Sequence, residues 1–247
     1  MRAESASTVF AVSGFIVTFS GGLFQGAVDA FGLLVRGDCD VLDVVYVSLR
    51  VSGLATVLAS LIAIPIALGI SGAEFAGKRV TVTVFNALMG LPTVVVGLLA
   101  YSMFSRRGPL GVLDLLYTQT GMIFAEAALA VPLIAALVIA ATESADPRIR
   151  LTARSLGASR FRASITLLSE IRIGVLAAVA AGFGRLISEL GIAMMVGGNI
   201  KGSTRTMTTA IALETSKGDF RFAFALGVVL LAVALAVNLG LAALTRR

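Results

Sequence analysis

A chain of 247 residues that is 57% hydrophobic and only 14% charged has too little polar surface for a soluble domain, in which charged residues make up about 25%. It contains no histidine and one cysteine, Cys39, which excludes a Ser-His nucleophile pair, an intrachain disulfide and a His/Cys metal cluster. The formal charge of +6 is accounted for by basic residues flanking apolar blocks, so no nucleic-acid partner is implied.

The apolar blocks are long enough to cross a hydrocarbon core, which takes roughly 20 residues of helix. The chain is therefore expected to be an all-α, polytopic helical membrane protein in contact with lipid, with five or six spans. The earliest block, 8–35, holds an apolar run from Val9 to Phe19 that gives way to Gly21, Gly22, Gln25 and Asp29. It reads as a sixth span, a surface helix or a mis-started extension. It lacks the basic n-region and small-residue cleavage site of a signal peptide. Residues 1–43 are set apart as an N-terminal extension, and 44–245 as the membrane domain.

Five clear spans follow, at about 44–70, 80–104, 121–142, 173–197 and 222–244. In the first, Ala55, Ala59, Ala63 and Ala67 recur every fourth residue beside Ser52, Thr56 and Ser60. Such a stripe lets helices approach closely, either inside one chain or between copies. After it, "GAEFAGKR", Gly72 to Arg79, matches seven positions of the phosphate-cradling loop G-x-x-x-x-G-K-[ST]. It ends in Arg79 where a hydroxyl is required and follows a span rather than a strand, so its basic pair is assigned to lipid headgroups or a partner. Pro65, Gly90, Pro92 and Pro132 lie within spans, where kinks shape cavities. Glu126, in the third, lines a cavity or meets a partner inside the bundle.

The interval 143–172 carries six arginines against Glu143, Asp146 and Glu170. By the positive-inside rule it is cytoplasmic, which also puts the C-terminus in the cytoplasm. Asp146 suits an N-cap and Pro147 a first helical turn, so "PRIRLTARSL" reads as a short helix. Gly157 suits its left-handed end, and Ser159 can cap a second helix starting at Arg160. Two short helices meeting at a glycine corner either offer arginines to a partner or form a solvated loop. In the fourth span Arg185 and Glu189 are four apart, on one helix face, as an ion pair or as part of a pathway. Beyond them "GGNIKGSTRTMTT" concentrates Asn199, Thr204, Arg205 and Thr206. These groups suit an entering oxyanion, or alternatively a capped external helix.

"TARSLGASRF" followed by "ITLLSE" resembles the cytoplasmic loop of binding-protein-dependent ABC importer permeases, whose E-A-A-x-x-L-G-A pattern forms the helices that dock on the ATPase subunit. Ala153, Leu156, Gly157 and Ala158 match that pattern; Leu151 and Thr152 replace its Glu and first Ala, and Glu170 stands where many members have Pro. Residues 183–220, "FGRLISELGIAMMVGGNIKGSTRTMTTAIALETSKGDF", are similar to the corresponding segment of tungstate permeases in the molybdate/sulfate/tungstate branch. "SLRVSGLATVLA", "LMGLPTVVVGLLAY" and "SRRGPLG" agree with the same group, and the resemblance covers about 24–247.

The resemblance implies a type I ABC importer transmembrane domain over 44–245, with 143–172 as its coupling loop. It implies a homodimer served by two cytoplasmic ABC ATPase subunits and an extracytoplasmic oxyanion-binding protein, most closely for tungstate. The chain would itself be no enzyme and hold no cofactor, ATP being used by the partner subunit. Arg154, Ser155, Leu156, Gly157, Ala158, Ser159 and Arg160 would couple to the ATPase. Arg185, Glu189, Asn199, Thr204, Arg205 and Thr206 would line the pathway or its gate. The alternatives are a molybdate or sulfate permease of the same family, or an ion-coupled secondary transporter.

Overall fold

The computed structural model describes residues 39–245. The 8–35 block and most of the 1–43 extension lie outside the described residues. Nine α-helices occur within them: α1 (Cys39–Gly72), α2 (Lys78–Leu88), α3 (Thr93–Phe104), α4 (Gln119–Glu143), α5 (Arg148–Ser155), α6 (Arg160–Glu170), α7 (Arg172–Ile187), α8 (Met207–Lys217) and α9 (Phe220–Thr245). A single 3-10 turn, Gly111–Leu113, and a π-helical turn, Ala193–Gly197, complete them. No strand occurs among the described residues.

The core is built on α1 against α4. Ala55, Ala59, Ala63 and Ala67 are all fully buried, in one cluster with Met122, Ala130, Ile134, Ala135 and Val138 of α4. The alanine stripe is thus a seam inside the chain. With no side chain beyond Cβ on one helix, the other approaches until backbone and methyl groups touch, which is how helices associate where water supplies no driving force. Thr56 and Ser60 return their hydroxyls to the carbonyls four residues earlier, Ser52 and Thr56, at 2.6 and 2.7 Å. Their polarity is therefore spent within the helix.

α1 and α4 are each long and apolar enough to span a bilayer, and up to four spans result if each of two bent pairs is counted as one. α2 and α3 form the first pair, meeting at 94°. The expected straight span over 80–104 breaks there. Pro92 has no N–H to donate and disfavours helical backbone at Leu91, so α2 closes on the 3.1 and 3.2 Å bonds Gly90 N–H to Ala87 and Leu91 N–H to Leu88. The second pair joins α6 to α7 at 76°. α9 occupies the position of the last expected span.

The fourth expected span, 173–197, also differs. α7 stops at Ile187, and Glu189 folds back so that its Oε1 accepts the N–H groups of Gly191 and Ile192 at 2.8 and 3.3 Å. Those donors would otherwise begin the next turn unpaired. Gly191 then lies against α3: a Cβ added there would come 3.2 Å from both Thr93 Oγ1 and Val94 N.

A glycine corner and a capped loop form the candidate functional site

α5 and α6 are cut out by their caps. Asp146 Oδ1 accepts the Arg148 N–H at 2.8 Å and opens α5. At its end the N–H of Gly157 reaches the carbonyl of Arg154, and that of Ala158 the carbonyl of Ala153, both at 3.0 Å. This nested pair requires a left-handed residue, which Gly157 supplies at φ +88°. Ser159 Oγ accepts the Arg162 N–H at 3.3 Å and starts α6. The corner expected from sequence is therefore formed, and the chain turns within four residues.

The corner presents an unusual surface. Leu156 is 83% exposed, Phe161 75% and Leu151 67%, so three large apolar side chains stand out of a basic loop. Arg154, Ser155, Gly157 and Ser159 are exposed and Ala158 is half-buried; the side chain of Arg160 is outside the described ones. The helices border a shallow, open cleft of about 610 Å³ lined by Arg148, Thr152, Leu156, Gly157, Arg162 and Thr166, among others. Of the three exposed apolar side chains Leu156 also borders this cleft, beside Arg148 and Arg162.

Opposite the exposed face, Arg150 ties the corner to the bundle. Its Nη1 donates to the Ser71 carbonyl in the last turns of α1 at 2.6 Å, and Lys78 Nζ donates to the same oxygen at 3.1 Å. The Thr142 hydroxyl of α4 donates to the Ser71 hydroxyl at 2.6 Å. Burial lowers the Arg150 pKa from the ordinary arginine value. Sequence reading passed over Arg150, Ser71 and Thr142, because their positions are 71 and 79 apart along the chain and no local pattern links them. The only signal was a hydroxyl followed by Gly72 at a helix end. Lys78 of the P-loop-like stretch also finds its role here, on a helix carbonyl.

Other candidates gather beyond α7, between the π-helical turn and α8. Asn199, Thr204, Arg205 and Thr206 share one loop, 197–209, but most of their polar groups are engaged within it. Thr204 Oγ1 donates to the Gly197 carbonyl at 2.5 Å and accepts from Ile200 N–H at 3.1 Å. Thr206 and Thr209 form a reciprocal capping box that opens α8. Asn199, in a left-handed conformation at φ +53°, takes Arg205 Nε on its Oδ1 at 3.1 Å. These bonds shape the start of a capped helix. Arg205 alone also reaches a cleft of about 340 Å³, where it meets Lys201, Lys217, Asp40, Asp43 and Glu214.

Arg185 and Glu189 do not form an ion pair among the described residues. α7 ends between them, so the i, i+4 geometry is lost and Glu189 caps the next turn instead. Glu126 is buried at 2% exposure in α4, beside Ser52 and near Glu189. The bundle thus encloses two acids from separate elements.

No protein-family model matches the chain. The tungstate uptake system permease protein TupB of Peptoclostridium acidaminophilum is 40% identical over 214 residues, covering 87% of this chain and 94% of that one. The molybdenum transport system permease protein ModB of Escherichia coli (strain K12) is 29% identical over 185 residues, 71% of this chain and 81% of that one. Among solved structures, a bacterial alginate ABC transporter in complex with an alginate pentasaccharide-bound periplasmic protein shares the fold. It has a TM-score of 0.73 at 19% identity and covers 100% of this chain and 93% of that one. An all-helical apolar bundle and relatives of this identity and coverage leave one assignment: the chain belongs to the oxyanion ABC importer permease family, the membrane-spanning transport subunits that include the tungstate uptake permeases.

Proposed function

We propose that the chain works as a homodimer that carries tungstate across the plasma membrane, with 143–172 in the cytoplasm docked on an ABC ATPase and an external binding protein delivering the ion. The observation that carries the reading is the α5–Gly157–α6 corner. It is rigidly capped at both ends, it exposes Leu151, Leu156 and Phe161, and it is surrounded by arginines. A rigid apolar knob of this kind is suited to seating in a partner's groove and transmitting its movement. Transport then proceeds by shifting the bundle between outward- and inward-open states, each favoured by a different partner contact.

Chain direction supports the orientation. With 143–172 inside, α1 runs inward, α2 and α3 return outward, α4 runs inward, α7 outward and α9 inward, so the C-terminus is cytoplasmic. On that reading the 197–209 loop and the cleft around Arg205 face outward, where a binding protein would deliver its ion. Arg185 and Glu189 are placed near the outer ends of the spans, and Arg205, with its neighbours Lys201 and Lys217, offers the entering dianion its first cations. Tungstate is preferred to molybdate because the tungstate-permease relative is the more similar, 40% against 29% identical.

Two experiments test this reading. The tagged chain is expected to copurify with an ATPase, and Gly157→Asp or Arg154→Glu to abolish that association. Retention of the ATPase by both variants would refute the docking role. Calorimetry of the cognate binding protein against tungstate, molybdate and sulfate addresses the substrate. Tight molybdate binding with none for tungstate would overturn the choice of ion.

A further inference from the structure

α5 packs chiefly on α6, so a force applied to the corner needs a route into the bundle. Ile149 contributes an apolar contact to the main core, and Arg150 contributes the polar one. The carbonyl of Ser71 is among the terminal carbonyls of α1 that lack a partner within the helix, and it carries the negative end of the helix dipole. Two cations from two different helices converge on it, Arg150 of α5 and Lys78 of α2. The Ser71 hydroxyl is bonded to Thr142 of α4. Ser71 is therefore a node at which α1, α2, α4 and α5 meet.

The guanidinium lies beside Gly72 at the end of α1, where an added Cβ would make ordinary contact, 3.5 Å from both Nη atoms. Arginine suits the post because its planar fork is stiff, whereas a lysine is a flexible point charge. Nε and Nη2 are buried without an acceptor, so the guanidinium is held by Nη1 alone and has no second anchor to take up slack. We propose that Arg150 is the positioning residue through which movement of the corner reaches the inner ends of α1, α2 and α4. The proposal rests on the corner being the ATPase-docking surface, and adds the path by which docking reaches the spans.

The test uses the complete transporter in liposomes: this chain, its ATPase and the tungstate-loaded binding protein. ATP hydrolysis is measured with and without the loaded binding protein, and tungstate uptake alongside. Arg150→Met is expected to leave the complex assembled and basal hydrolysis in place, while stimulation by the loaded binding protein and uptake both fall about tenfold, within the range of ordinary coupling free energies. Arg150→Lys, which can still reach the carbonyl but only as a flexible point charge, is expected to fall between Arg150→Met and the unaltered chain. Thr142→Val removes one strand of the node without touching charge and gives a smaller loss of the same kind.

Full stimulation in an assembled Arg150→Met complex overturns the proposal. Where that variant does not assemble, full stimulation in the assembled Thr142→Val complex overturns it, and a selective loss of stimulation supports it. Failure of the unaltered chain to hold an ATPase would instead refute the docking reading, so the two failures are distinguishable.

Discussion

Replacing Gly157 isolates the conformational role of the corner from its chemistry. A Cβ added at this position meets nothing within 4 Å, so Gly157→Ala introduces no clash. The remaining effect is backbone strain, because Gly157 sits at φ +88°, where a non-glycine L-residue loses roughly 1–2 kcal/mol. At about 1.4 kcal/mol per factor of ten, the capped corner is expected to open some five- to thirtyfold more often. Asparagine tolerates the left-handed region better than alanine, so Gly157→Asn should fall between the two. Hydrogen exchange at Gly157 and Ala158, whose N–H groups close the cap, reads the opening directly, and ATPase copurification reads its consequence. Unchanged exchange in Gly157→Ala, or faster exchange in Gly157→Asn than in Gly157→Ala, would refute the reasoning.

Three further outcomes follow from the packing and bonding. Gly121→Ala would drive a Cβ into the backbone carbonyl of Leu115, which cannot rotate away; a loss of about 1–3 kcal/mol is expected, seen as a lower thermal midpoint in detergent. Glu189→Ala removes the acceptor for two N–H groups, those of Gly191 and Ile192, and should destabilise by about 1–3 kcal/mol. Glu189→Gln keeps a carbonyl there and should melt close to the unaltered chain, so equal midpoints for the two variants would count against the capping role. Lys201→Ala breaks an ion pair whose side chains are 62% and 56% exposed. The thermal midpoint should therefore hardly move, and uptake at low tungstate becomes the informative measurement, since a surface pair steers more than it stabilises.

Legibility in the sequence followed how local the physics was. The membrane class, the apolar blocks and the family came from composition, apolar length and contiguous motifs. The α5–Gly157–α6 corner was readable down to its caps, because Asp146, Gly157 and Ser159 act on backbone groups within five residues of themselves. The breaks in two spans were less readable. Pro92 was visible, but a proline in a membrane helix either kinks it or ends it, and the 94° angle was decided by how α3 packs against the 191–197 segment.

The alanine stripe shows what only the tertiary structure could decide. Its spacing announced close helix contact, but whether the contact lay inside the chain or between copies depended on the placement of α4. Arg185 and Glu189 looked like a pair because a continuous helix was assumed, and Glu189 itself ended that helix by turning onto Gly191 and Ile192. Arg150 lay beyond the reach of any window, since its partner Ser71 is 79 positions away. The sequence by itself determined the membrane class, the caps and the family, all of which depend on composition, neighbouring residues or contiguous motifs. Tertiary structure decided which buried polar groups meet, because that depends on helices brought together by packing that periodicity alone leaves open.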